Sequence, residues 1–277
     1  MRERGAASSL GTVARHWQDL FVKQPTAFQV TSPRDVVKAS RGGVIKALFQ
    51  MCDLKGSEAV LEAGCAGGLY SLALAYRGLH CTALDLSEEM LRSARDAFSL
   101  CRSELGNLDM RFVRGDLTWL NLERSYDVVF NEGVLEHWTA PNDRVAILRQ
   151  MVSVARPGGR VFVCIPNNSH PWYGWWYWLQ RVLKSRQLIF RPGGPLEEAV
   201  ISADELAKEF AQAGVEKIRV DGFAVFRAIA HYPRWWPLRV LAKALELLTP
   251  PFPQSVRKRW GVYLVAAGQT PQLPEVR

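Results

Sequence analysis

Glu62, Asp85 and Asp116 each end a short apolar run, and the elbow that follows the first of them, Gly64-Cys65-Ala66-Gly67-Gly68, is built of small residues. That combination suits the holding of a polar ligand against the main chain. Residues without bulk allow close approach, and Gly64, Gly67 and Gly68 tolerate φ > 0, so the chain can turn sharply from a strand into a helix whose first N–H groups face what is bound. Asp85 lies about 20 positions beyond the elbow, the spacing at which a carboxylate reaches ribose hydroxyls. Asn131 ends a fourth run and is followed by Glu132. In an open parallel sheet ligands bind beyond the carboxyl ends of the strands, so these side chains are expected to converge on one crevice. Glu88 and Glu89 have a different explanation. They follow Ser87, a good N-cap, and suit the positive end of the next helix.

The elements that must carry these residues alternate in type. A helix over 44–52 leads into a strand at 58–63, followed by helix 68–77, strand 79–84, helix 88–102, strands 109–113 and 125–130, helix 142–155 and strand 160–165. This is the rhythm of a parallel sheet with right-handed crossovers. Arg156–Gly159, RPGG, reads as a helix stop and turn that sets where the fifth strand begins. Ser202 and Glu205 form a capping box ahead of ADELAKEFAQAG, and Gly214 closes that helix. The last two strands are expected at 216–220 and 261–267. Residues 1–43 read as an N-terminal helical lid or cap, in which His16, Trp17, Phe21 and Phe28 either close over the crevice or pack outside the sheet; residues 44–277 read as one domain.

A nicotinamide dinucleotide site would use similar strands, but its G-x-G-x-x-G fingerprint is broken here by Ala66 and Leu69, and it has no role for Asp116. On the residues quoted, the chain resembles the class I S-adenosylmethionine-dependent methyltransferases, in the broad branch that includes the ubiquinone and menaquinone biosynthesis enzymes. The likeness is good over about residues 44 to 166 and holds elsewhere in outline. It implies an α/β, Rossmann-like, seven-stranded and mostly parallel sheet with helices on both faces and an antiparallel last strand. It implies S-adenosyl-L-methionine as cofactor and no metal. Glu62 with Gly64, Cys65, Ala66 and Gly67 would hold the methionine part, Asp85 would bind both ribose hydroxyls, and Leu86 would pack on adenine. Asp116 with Leu117 would contact the adenine edge, and Asn131 and Glu132 would lie beside the sulfonium and the acceptor. Position 66 departs from the family's usual glycine, with alanine as the smallest alternative. If the acceptor is a hydroxyl or an acidic carbon, a base must take its proton, and His137 is the first candidate and His170 the second. The competing role for His137 is to brace the loop after the fourth strand.

Composition bounds the partners. The chain has 277 residues, is 48% hydrophobic and carries a net charge of +8, ample for a packed core. Two segments, 170–192 and 227–260, exceed what the core fold needs; they carry +4 and +6, so the remainder is slightly acidic. They also hold seven of the ten tryptophans. Within the second, Leu238, Leu241, Leu245 and Leu248 are expected on one helical face and Arg239, Lys243 and Glu246 on the other. Tryptophan favours the headgroup region and basic side chains favour anionic lipid, so both inserts suit attachment to an anionic membrane surface. A lid, a substrate wall or an oligomer contact would use the same residues. Basic aromatic inserts also suit RNA, but NEGV stands where base-amine methyltransferases carry D/N-P-P-Y/F, and Cys164 is poorly placed for pyrimidine carbon chemistry. The five cysteines form no C-x-x-C pair, no run of 18 apolar residues exists, and the start of the chain lacks an apolar signal core. The expectation is a cytoplasmic enzyme, attached if at all to the inner face of the membrane, acting on a small, hydrophobic or lipid-linked acceptor. An RNA methyltransferase and a non-catalytic S-adenosylmethionine-binding protein are the alternatives.

Overall fold

The computed structural model describes residues 29–123, 125–171, 198–226, 236–248 and 252–272. The elements are α1 (Pro33–Ser40), α2 (Gly43–Cys52), β1 (Ala59–Ala63), α3 (Leu69–Tyr76), β2 (His80–Asp85), α4 (Glu88–Leu105), β3 (Met110–Arg114) and β4 (Tyr126–Glu132). After a 3-10 turn at Leu135–His137 come α5 (Pro141–Val154), β5 (Ala155–Pro166), α6 (Ala203–Gln212), β6 (Glu216–Phe223), α7 (Trp236–Leu248), α8 (Gln254–Trp260) and β7 (Tyr263–Gln269).

The sheet order is β3-β2-β1-β4-β5-β7-β6. All pairings from β3 to β5 are parallel, and β7 runs antiparallel to both β5 and β6. Strand order reverses direction between β1 and β4, and such a switch point opens a crevice at the strands' carboxyl ends. Side chains alternate across the sheet, so each central strand feeds two cores. Leu61, Val129, Val161 and Val163 meet Leu148 and Met151 of α5 and Phe210 of α6. Val60, Val128, Phe130 and Phe162 meet Val36 of α1, Leu48 of α2, Leu72 of α3 and Cys101 of α4. Helices therefore cover both faces.

Helix α1, within the stretch read as a lid or cap, packs outside the sheet with Val36 fully buried. Residues 1–28 lie outside the described residues, as does nearly all of the insert at 170–192. One expectation needs correcting. RPGG does not precede β5 but lies inside it: Tyr126 pairs with Ala155 and Val128 with Arg160, so the extra residues bulge out of the ladder, with Gly158 at φ +73°.

Candidate functional site

The elbow after β1 is stitched to β2. Gly64 N–H and Cys65 N–H both donate to the Leu84 carbonyl, at 2.8 and 2.9 Å. Gly64 has φ +89°, and a Cβ there would lie 2.8 Å from Val134 Cγ2, so the elbow packs directly on the segment that follows β4. Gly68, at φ +76°, caps α3. Between them the left-handed residue is Ala66, at φ 43°, while Gly67 is not in that region. The expectation that Gly67 supplies the conformational freedom is thus corrected: the strained position is held by the residue with a methyl group. Cys65 is buried with Ala83 and Leu91, and contributes its backbone to the elbow while its thiol serves the core.

Asp85 at the end of β2 closes the elbow. Its Oδ2 accepts the Ala66 N–H at 2.9 Å and its Oδ1 the Ser87 N–H at 2.9 Å. Burial raises its pKa, against the lowering effect of the N–H groups of Ser87, Ala66 and Leu86. A carboxylate has about four lone-pair sites, so capacity for two hydroxyls remains. Glu62 is buried on β1, and both the backbone N–H and the hydroxyl of Ser71, in the first turn of α3, donate to its Oε2. Burial pushes this carboxyl up to about 8 despite those bonds, and the charges of Glu132 and Asp85 push the same way. On β4, Glu132 is pushed by burial up to about 7. Glu62 pairs in register with Phe130, so Glu132 lies one pleat further along the neighbouring strand, on the same face of the sheet. The switch point is thus flanked by two acids, Glu62 buried and Glu132 half-buried. Among the described residues no lysine or arginine forms an ion pair with either.

The other expected residues divide. Leu86, next to Asp85, is a large apolar side chain left 37% exposed. Asp116 is exposed at the end of β3 and its Oδ1 accepts the N–H and hydroxyl of Thr118, at 2.8 and 2.7 Å, while Leu117 turns into the core. Asn131 does not join Glu62 and Glu132. Alternation carries its side chain to the opposite face, where Nδ2 lies 3.4 Å from Met151 Sδ of α5. His137 Nε2 is 3.1 Å from the Gly133 carbonyl, and a carbonyl only accepts, so that nitrogen carries the hydrogen. His170 Nε2 likewise donates to the Trp260 carbonyl at 2.9 Å, with its ring edge-on to Trp260; burial lowers its pKa.

Five contributors were missed in the sequence. Ser71 anchors Glu62, and its only signal was a small polar residue in the apolar run LYSLALAY. Tyr70, from the same run, lies close enough to Glu132 and Glu62 that their charges, after burial, raise its pKa. Glu136 is buried with its Oε2 unbonded among the described residues, and burial holds its pKa well above the usual range. Arg144 of α5 and Glu209 of α6 form a buried pair at 2.5 Å, and Arg144 Nη1 also donates to the carbonyls of Trp138 and Thr139 at 2.8 and 2.9 Å. No local pattern marks a contact 65 residues apart.

An elbow without room for a Cβ at Gly64, closed by a ribose-type acid and flanked by a buried and a half-buried carboxylate with no basic ion-pair partner among the described residues, fits a nucleoside that carries positive charge. At the switch point of a sheet of this order, these features define a class I methyltransferase. Residues 61–163 match the family model described as a methyltransferase domain. Ubiquinone biosynthesis O-methyltransferases from Azoarcus sp. (strain BH72) and Aromatoleum aromaticum are each 32% identical, over 62% and 60% of this chain and 69% and 67% of their own lengths. The one from Aeromonas salmonicida is 29% identical over 57% of this chain and 59% of its own. Among solved structures, methyltransferases from Methanosarcina mazei and Mesorhizobium loti share the fold, each with TM-score 0.53 and 17% identity, over 84% and 83% of this chain and 99% of theirs. The chain belongs to the S-adenosylmethionine-dependent methyltransferase family, with S-adenosylmethionine as its methyl donor and a small molecule as acceptor.

Proposed function

We propose that the protein methylates a hydroxyl oxygen on a hydrophobic, lipid-linked small molecule. The observation that carries this reading is its 32% identity to enzymes named for O-methylation in ubiquinone biosynthesis. Ubiquinone is a tailed ring bearing methoxy groups, so the acceptor class is a phenolic hydroxyl on a ring with an apolar tail. In this reading Glu62 and the elbow Gly64 to Gly67 hold the methionine part, Asp85 the ribose, Leu86 one face of adenine, and Asp116 with Leu117 its edge. Glu132 lies toward the sulfonium. Asn131 acts only indirectly, through its packing on Met151.

The donor supplies a carbon already activated by positive charge. Bound there, it would pass that methyl to an acceptor oxygen lone pair as sulfur kept the S–CH3 electron pair, and the hydroxyl proton would have to be taken up. The chain's own work is to position the oxygen and exclude water. His137 can take that proton only through Nδ1, because Nε2 is held on the Gly133 carbonyl. His170, tied to Trp260, is read as a brace.

The membrane reading rests on α7 and α8. The side of α7 turned outward carries Val240, Leu241 and Leu247, which are 59%, 50% and 76% exposed, while Ala242 is covered. Nearby in sequence, α8 carries Lys258 and Arg259, with Trp260 40% exposed. Exposed apolar side chains beside cationic ones suit a peripheral attachment to anionic lipid. Among the described residues no helix is long and apolar enough to cross a membrane.

The test incubates the protein with S-adenosylmethionine and a long-tailed catechol and follows the mass of the acceptor. Gain of one methyl on oxygen supports the reading, and methylation confined to carbon overturns it. Flotation with anionic vesicles, lost in Leu241→Asp/Leu247→Asp, tests the attachment; a protein that stays in solution with such vesicles rejects it.

A further inference from the structure

The described residues place two acids, not one, at the switch point, and they differ in how they are held. Glu62 is pinned through Oε2 by both donors of Ser71. Glu132 accepts no hydrogen bond from any described residue, and burial alone accounts for its shifted proton affinity. The groups facing it from the packed elements are Glu62 of β1, Tyr70 of α3, Cys164 of β5 and Glu136 of the turn after β4, with Asp85 and Tyr263 one step further out. Each of these is neutral or negative. His137 in the same turn has its Nε2 on the Gly133 carbonyl. The acids, the phenol and the thiol in this set offer Glu132 no positive charge, and a half-buried carboxylate among such neighbours is held toward its protonated form.

The methyl donor and its product differ there by one charge. The donor has a sulfonium and an ammonium; the demethylated thioether keeps only the ammonium. Resting on the methyltransferase reading above, we propose that Glu132 is the residue that distinguishes donor from product, releasing its proton to solvent when the sulfonium binds and regaining one when the sulfur becomes neutral. Glu62, anchored beside the methionine part, responds to the ammonium that both ligands share. Charge balances through the reaction: one positive charge leaves sulfur, one proton leaves the acceptor hydroxyl, and one proton returns to Glu132. The crevice is thereby left with a neutral acid beside a neutral thioether, which weakens the hold on the product.

The pH dependence has a fixed sign. Below the bound-state pKa both free and donor-bound Glu132 are protonated and no proton is released. Between the bound and free values, donor affinity rises with pH by up to tenfold per unit for this one group. Above the free value, about 7, that contribution levels off. Product affinity lacks this component.

Titration calorimetry at pH 7 in two buffers of different ionisation enthalpy counts the protons. The donor is expected to release about half a proton more than S-adenosylhomocysteine, because a group with a pKa of about 7 is half protonated in the free protein at that pH. Glu132→Gln should abolish the difference while S-adenosylhomocysteine still binds, whereas Glu62→Gln should lower the count for both ligands equally. Equal counts in the unaltered protein overturn the proposal without any variant, as does a difference that persists in Glu132→Gln. Failure of the unaltered protein to bind either ligand would instead overturn the methyltransferase reading.

Discussion

The elbow after β1 and the segment after β4 touch at Gly64 and Val134, yet they are finished to different degrees. In the elbow, Leu84 O takes two N–H groups, Asp85 takes two more, and Ser71 satisfies Glu62 Oε2. At the end of β4 and in the turn after it, Asn131 Oδ1, Glu136 Oε2 and Trp138 Nε1 are buried and find no hydrogen-bond partner among the described residues. Each such atom costs about 1–3 kcal/mol relative to a satisfied one. In the proposed reading the cofactor side is therefore organised in advance, and the acceptor side carries polarity that finds no partner among the described residues. That division suits an enzyme with one fixed donor and one acceptor to be recognised.

The strongest way to break the contrast is to release the brace that holds the unfinished segment. Glu209→Ala leaves Arg144 buried without its carboxylate and should cost about 3–5 kcal/mol, read as a lower urea midpoint with unchanged slope. A cost under 1 kcal/mol would mean the segment stands by itself. On the organised side, Asp85→Ala removes the acceptor of two N–H groups as well as the ribose ligand. Donor affinity measured by calorimetry should fall by about 2–3 kcal/mol, on the order of 100-fold. Glu136→Met sharpens the comparison by splitting stability from function. Removing an unsatisfied buried carboxyl should raise stability by about 1–2 kcal/mol in thermal or urea unfolding while acceptor turnover falls. The smallest effect is expected at Ala66→Gly. Relief of the left-handed conformation, about 1–2 kcal/mol, is offset by about 0.4–1 kcal/mol of added unfolded-chain entropy. Unfolding should thus show a gain between about zero and about 1.6 kcal/mol, and a clear loss would mean that the methyl group packs usefully.

Strand ends and their acids were legible in the sequence because apolar runs stop where the sheet stops, and the period of two assigns each residue a face. Glu62 and Asp85 follow from that pattern and from the spacing of the elbow. The same period also assigns Asn131 and Glu132 to opposite faces, which grouping them by adjacency had overlooked. Other features depend on tertiary neighbours. Which elbow residue is left-handed is decided by the pull of Asp85 on the Ala66 N–H, and RPGG joins the strand because Tyr126 pairs beyond it. The Arg144–Glu209 pair joins two helices that only the completed sheet brings side by side.

β7, the last of the seven strands to be synthesised, enters the sheet between β5 and β6 rather than at its margin. Until it is made, β6 has no strand to join and β5 presents an edge of unpaired backbone N–H and C=O groups. A nascent chain must therefore guard an open seam through the whole stretch between β6 and β7, and the seam closes in one late step. Shortening that connection would bring closure earlier in synthesis, so its length sets how long the unfinished molecule stays adhesive.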